Sequence, residues 1–73
     1  MAAKWEAYAE VVEHIFRVAP QATPTRSDFL DICYANDISD DVIDGFDALR
    51  EGVMYKTVDE VKAALTAIKQ IVD

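Results

Sequence analysis

From Lys4 to Ala19 the apolar residues Trp5, Tyr8, Ala9, Val12, Ile15, Phe16 and Ala19 return every three or four positions, which places them on one side of an α-helix. Glu6, Glu10 and Glu13 fall mostly on the other side. Glu13 precedes Arg17 by four residues, the favourable order for a pair on a helix surface. Pro20 ends the pattern, because its ring clashes with the preceding turn and it has no N–H to donate. Pro20 to Pro24 is the one linker-like stretch, too short to divide domains.

A second, shorter helix is predicted up to about Ala35. Thr25 is a suitable N-cap with Asp28 three residues on, as in a capping box. Thr23 as the cap, with Pro24 in the first helical position, is an equal alternative. Phe29, Ile32 and Cys33 would face inward, with Leu30 and Tyr34 on a flank. Asn36 and Asp37 tolerate left-handed backbone and mark a turn. Ser39 then caps a third helix, with Asp40 and Asp41 in the first turn, where the helix dipole favours negative charge. Its apolar face is Val42, Ile43, Phe46 and Leu49, and Ile38 is placed to staple onto Ile43. Gly45 costs about 1 kcal/mol relative to alanine inside a helix, so it is expected to mark a close helix contact.

Gly52 reads as the stop of that helix, followed by an extended Val53–Tyr55 link. Thr57 opens the last helix, with Glu60 as its reciprocal capping partner. Val58, Val61, Leu65, Ile68 and Val72 recur along it, with Ala64 and Ile71 beside them, and Lys69 complements the dipole near its end. The fold class is therefore all-α. Residues 1–73 are expected to form a small single-domain bundle of about four helices. Two short central helices with an acidic turn sit between two longer outer helices.

Composition narrows function mainly by exclusion. Seventy-three residues make one domain of modest core. Hydrophobic residues are 52% of the chain, too many for a disordered tail. The formal net charge of −7 repels phosphate backbones, so no direct nucleic-acid binding is expected, and anionic membranes are disfavoured for the same reason. The same argument rejects a helix-turn-helix, whose recognition helix would begin with Asp40, Asp41 and Asp44. No apolar run approaches the length of a membrane span, and the first ten residues carry charges where a signal peptide needs an apolar core. Cys33 is the single cysteine, so no internal disulfide can form. That fits a reducing compartment, and the cytoplasm is the expected location.

Candidate chemistry is sparse. His14 lies among Glu10, Glu13 and Arg17 and is expected at the surface, while Cys33 follows Phe29 at buried spacing, so a His–Cys dyad has no local support. The segment from Asp40 to Glu51 resembles a calcium loop, with Asp40, Asp44, Gly45 and Glu51 at ligand and turn positions. Val42 and Asp47 break that pattern, and a helix with an acidic outer stripe is the better reading. The stretch from Tyr55 to Leu65 resembles the start of an acyl carrier protein's last helix, but neither Ser27 nor Ser39 stands in the required Asp-Ser-Leu site. No catalytic residue, cofactor or metal site is expected.

A broader resemblance runs from Thr23 to Leu65. Thr23-Pro24-Thr25-Arg26-Ser27-Asp28-Phe29, then Asp41-Val42-Ile43-Asp44-Gly45-Phe46-Asp47-Ala48-Leu49, then Tyr55-Lys56-Thr57-Val58-Asp59-Glu60-Val61 are similar to a family of short bacterial domains of unknown function. The aromatic first helix and Gly45 depart from that family's pattern. The resemblance implies a capped helical fold and brings no activity with it.

The stretch from Thr25 to Glu51 holds eight of the fourteen acids and only Arg26 and Arg50 as bases. The expected function is a non-catalytic protein–protein interaction module. A ridge of Asp37, Asp40, Asp41, Asp44, Asp47 and Glu51, with Tyr55, would meet a basic protein partner. Trp5, Tyr8, Tyr34 and Tyr55 are its candidate aromatic anchors. The alternatives are a nucleic-acid-mimicking inhibitor, and a structural homo-oligomer through Val58, Val61, Leu65, Ile68 and Val72.

Overall fold

The computed structural model describes residues 3–72. It contains four helices: α1 (Trp5–Val18), α2 (Arg26–Ala35), α3 (Asp40–Asp47) and α4 (Val58–Ala67). The expected all-helical bundle is the fold. Its radius of gyration of 10.8 Å matches the value of about 11 Å for a compact chain of this length. No helix among the described residues is long and apolar enough to cross a membrane.

Side-chain caps start α2 and α4, whereas Lys4 before α1 and Ser39 before α3 make no side-chain cap hydrogen bond, so the cap expected of Ser39 is not formed. At α2 the Thr25 N–H donates to Asp28 Oδ2 at 2.9 Å, the reciprocal half of a capping box. Pro24 lies before the helix, so the Thr23 alternative falls; Pro24 instead accepts a hydrogen bond on its carbonyl from the Tyr55 N–H at 2.9 Å. At α4 the Glu60 N–H donates to Thr57 Oγ1 at 3.1 Å, and the Glu60 carboxylate accepts from the Lys56 N–H rather than from Thr57.

Two helices end differently from the sequence expectation. The last helix was expected to carry its stripe to Val72, but it stops at Ala67. Lys69 adopts φ 59°, its N–H donates to the Thr66 carbonyl, and the Gln70 N–H donates to the Leu65 carbonyl. This is a Schellman closure built without glycine. After it, Ile71 forms a parallel bridge with Ala3. Likewise α3 ends at Asp47, not at Gly52. The Leu49 N–H turns in to bond the Phe46 carbonyl, and Leu49 is buried. Gly52 adopts φ 87° in the following loop.

The core gathers Tyr8, Val11 and Val12 of α1, Phe29 and Cys33 of α2, Val42 and Phe46 of α3, Leu49 and Tyr55 of the connection, and Val61 and Leu65 of α4. Phe46 is central: its ring stacks on Phe29 at 4.9 Å and meets Tyr8 edge-on at 5.2 Å. Gly45 marks the close contact expected of it. A Cβ there would stand 2.6 Å from Cζ of Tyr8, so only hydrogen lets α3 lie against that ring. The Tyr8 hydroxyl donates to the Gln70 carbonyl at 2.7 Å, joining α1 to the exit of α4.

Candidate functional site

The third helix divides its residues cleanly. Val42, Gly45 and Phe46 are buried, while Asp40, Asp41, Asp44 and Asp47 are exposed. The region that a calcium loop would need is helical from Asp40 to Asp47, and no group of His, Cys, Asp and Glu among the described residues is arranged to hold a metal ion.

Asp40, Asp44 and Asp47 share one stripe of α3. Asp41 is turned about 100° from Asp40. The charges of Asp41 and Asp44 both reach the Tyr8 hydroxyl, whose pKa is raised chiefly by burial and further by these two carboxylates. Asp37 sits in the α2–α3 turn with φ 54°, at the position after the cap of α2. The Ile38 N–H there donates to the Cys33 carbonyl at 3.0 Å. Glu51 was expected to continue the helical stripe. Because α3 stops at Asp47, Glu51 comes instead from the loop beyond it.

Arg26 engages that end of the ridge. Its Nη2 meets Asp47 Oδ1 at 2.5 Å, its Nε donates to the Asp47 carbonyl at 3.0 Å, and its Nη1 lies 3.7 Å from Glu51 Oε1. Such an exposed pair contributes well under 1 kcal/mol, so its effect is on charge distribution and register more than on stability. Asp44 is also engaged. Asp37, Asp40 and Asp41 form no ion pair among the described residues, so three exposed carboxylates cluster at the α2–α3 turn.

The aromatic anchors need correction. Tyr55 is 5% exposed, packs with Phe29 at a ring distance of 6.0 Å, and has its pKa raised by burial, so it is core and not a contact residue. Tyr8 is fully buried as well. Trp5 is half-buried, with Lys62 Nζ 5.5 Å from its ring. Tyr34 alone of the four stands well out, at 69% exposure.

The Arg26–Asp47 ion pair brings the start of α2 to the end of α3, and the two helices are in contact. Leu30 and Ile43 pack against the edge of the core, whereas Tyr34 is exposed. Ile43, expected on the apolar face of α3, is only half-buried at the margin of the core. The signal was present in the spacing: Asp40 and Asp47 bracket Ile43 at three and four residues.

Elsewhere, His14 is exposed while Cys33 is buried, with its thiol pushed up to about 11 by desolvation, so the two form no reactive pair. His14 lines a shallow hollow of about 270 Å³ with Glu10 and Asn36 over Val11, Ile32 and Ile38. A wider cleft of about 560 Å³ lies between Lys4, Trp5, Lys62 and Ile71. Glu6 and Thr66 also line that cleft. Protein-family models, curated proteins and solved structures were compared with the chain, and none matches it.

Proposed function

We propose that this protein is a non-catalytic interaction module whose acidic turn and α3 ridge receive a basic protein partner. The observation that carries the reading is asymmetry within the ridge. Arg26 compensates the Asp47 and Glu51 end, whereas Asp37, Asp40 and Asp41 crowd into an exposed turn with no cation paired to them among the described residues. Like charges at this spacing repel each other, and a lysine- or arginine-rich surface relieves that repulsion on binding. Complementarity of this kind supplies association rate and partner choice more than raw affinity.

Of the stripe Val58, Val61, Leu65, Ile68 and Val72, Val61 and Leu65 are fully buried, which favours the interaction-module reading over self-association, while Ile68 and Val72 are exposed. A test is retention of lysate proteins on the immobilised chain, eluted by rising salt, with an Asp40→Asn/Asp41→Asn double variant in parallel. Release of a basic protein at moderate salt, lost with the variant, is the expected result. Equal retention by both proteins at low salt would sink the reading. Displacement of the captured protein by added DNA would favour nucleic-acid mimicry instead.

A further inference from the structure

We infer that the cleft shared by the start of α1, by α4 and by the segment after α4 binds a small aromatic monocarboxylate, its ring against Trp5, Ile71 and Val72 and its carboxylate at the lysines. This goes beyond the interaction-module reading and does not depend on it, because none of the ridge residues lines the cleft.

The cleft has the size and lining of a small-ligand site. Its volume of about 560 Å³ falls within the roughly 300–1,000 Å³ of such sites, which pair an apolar wall with a few polar groups. Trp5 and Ile71 are only half-buried and Val72 is 46% exposed, so a ligand has apolar surface to cover. The walls are tied together without a ligand. Ala3 is bridged to Ile71, and the Val72 N–H donates to the Ala3 carbonyl at 3.0 Å.

Charge selects the ligand's sign. The chain has a net charge of −7 and only seven lysines and arginines, yet two of these, Lys4 and Lys62, line this one cleft. Neither is ion-paired among the described residues. Lys62 Nζ lies 5.5 Å from the Trp5 ring centroid, which holds a cation beside the apolar wall. A cationic ligand would have to compete with that ammonium for the ring. Glu6 also lines the cleft, so the two lysines leave one positive charge in excess, which suits a monoanion better than a dianion. Thr66 lends no proton, since its hydroxyl donates to the Lys62 carbonyl at 2.8 Å.

The test titrates the full chain with 2-naphthoate, its neutral counterpart 2-naphthamide, and 2-naphthyl phosphate, followed by proton–nitrogen NMR. Trp5 is the single tryptophan, so its indole N–H gives one unambiguous signal in the cleft. Naphthoate is expected to move that signal and the Lys62 and Val72 amides along one saturable curve. Naphthamide should bind roughly fivefold more weakly. Lys62 is exposed, so Lys62→Gln should leave the remaining spectrum intact. It should weaken naphthoate roughly fivefold and leave naphthamide unchanged, while Lys62→Arg keeps naphthoate binding.

Equal affinity for naphthoate and naphthamide, no effect of Lys62→Gln on naphthoate, or largest shifts around the His14 hollow would each overturn the proposal. Tighter binding of the phosphate would overturn the assignment to a monocarboxylate. Asp40→Asn should leave naphthoate binding unchanged, so this proposal and the acidic-module reading fail separately.

Discussion

The two sides of the α2–α3 hairpin are built to opposite standards. Inside, Phe29, Cys33, Val42, Gly45 and Phe46 fit so closely against Tyr8 that one added carbon at Gly45 has nowhere to go. Outside, Tyr34, Asp40, Asp44 and Asp47 are exposed, and Arg26 pairs with Asp47 and Glu51 at the solvent edge. The inner side carries most of the folding energy, and changes on the outer side are expected to shift stability by about 1 kcal/mol or less. Residues one position apart on α3, such as Phe46 and Asp47, therefore answer to different pressures.

The sharpest way to break this contrast is Phe46→Ala. Losing a ring that contacts both Phe29 and Tyr8 is expected to cost about 3–5 kcal/mol, enough to unfold much of so small a domain in a denaturant titration. An effect below about 1 kcal/mol would mean that the aromatic cluster is not the centre of the core.

Alkaline unfolding gives the next largest effect. Burial raises the folded pKa of Cys33 from 9.0 to about 11, and those of Tyr8 and Tyr55 above 10.0. Between the unfolded and folded values the native state holds the proton and the unfolded state has released it. Stability is therefore fully present below pH 9 and falls as pH rises towards 11, by about 2 kcal/mol for the thiol alone. Cys33→Ala should remove that thiol-linked part of the loss, as read from urea midpoints at pH 8 and pH 10.5. Below pH 9 the buried thiol should react with a disulfide reagent only as fast as the chain opens.

A smaller effect is expected from Gly45→Ala, where overpacking of about 1–3 kcal/mol outweighs the roughly 1 kcal/mol gained in helix preference. Tyr8→Phe loses the hydrogen bond to Gln70, at a cost of about 1 kcal/mol in the parent. It should cost less when Gly45 is already alanine, because the two sites share one contact. Strict additivity in that double-mutant cycle would argue against the tight approach.

The outer side should respond least and sometimes in the opposite direction. Asp37→Gly relieves a left-handed backbone and is expected to raise stability by up to about 1 kcal/mol, while weakening capture of the proposed basic partner. Asp41→Asn should stay within about 0.5 kcal/mol. Calorimetry and the salt-elution assay together would show whether stability and binding separate along this line.

Much of the hairpin could be read before any coordinates. The capping residues Thr25 and Thr57, the turn at Asn36–Asp37 and the tight approach at Gly45 all follow from local chemistry. What could not be read was set by tertiary contact. Val11 is buried because α1 packs against both α2 and α4, which widens its apolar face beyond one stripe. Lys69 closes α4 in a conformation that usually announces itself by glycine, so the apolar spacing seemed to continue to Val72. Tyr55 lies three residues after Gly52 in what resembles a surface link; only its hydrogen bond to Pro24 and its packing on Phe29 reveal that the connection passes through the core. Arg26 carries no local signal that its partner is 21 residues away.

The bridge between Ala3 and Ile71 has a topological consequence. The first and last described turns of the chain lie side by side, fastened by the Val72 N–H to the Ala3 carbonyl at 3.0 Å. Fastening them closes nearly the whole chain as one loop, among the costliest closures a domain of this size can make. A circular permutant joined at that seam and opened at the exposed Gly52 loop would turn the most distant contact into a local one. It should keep the same four helices and fold faster. The same adjacency lets the domain be spliced into a surface loop of another protein with little displacement of the host's strands or helices.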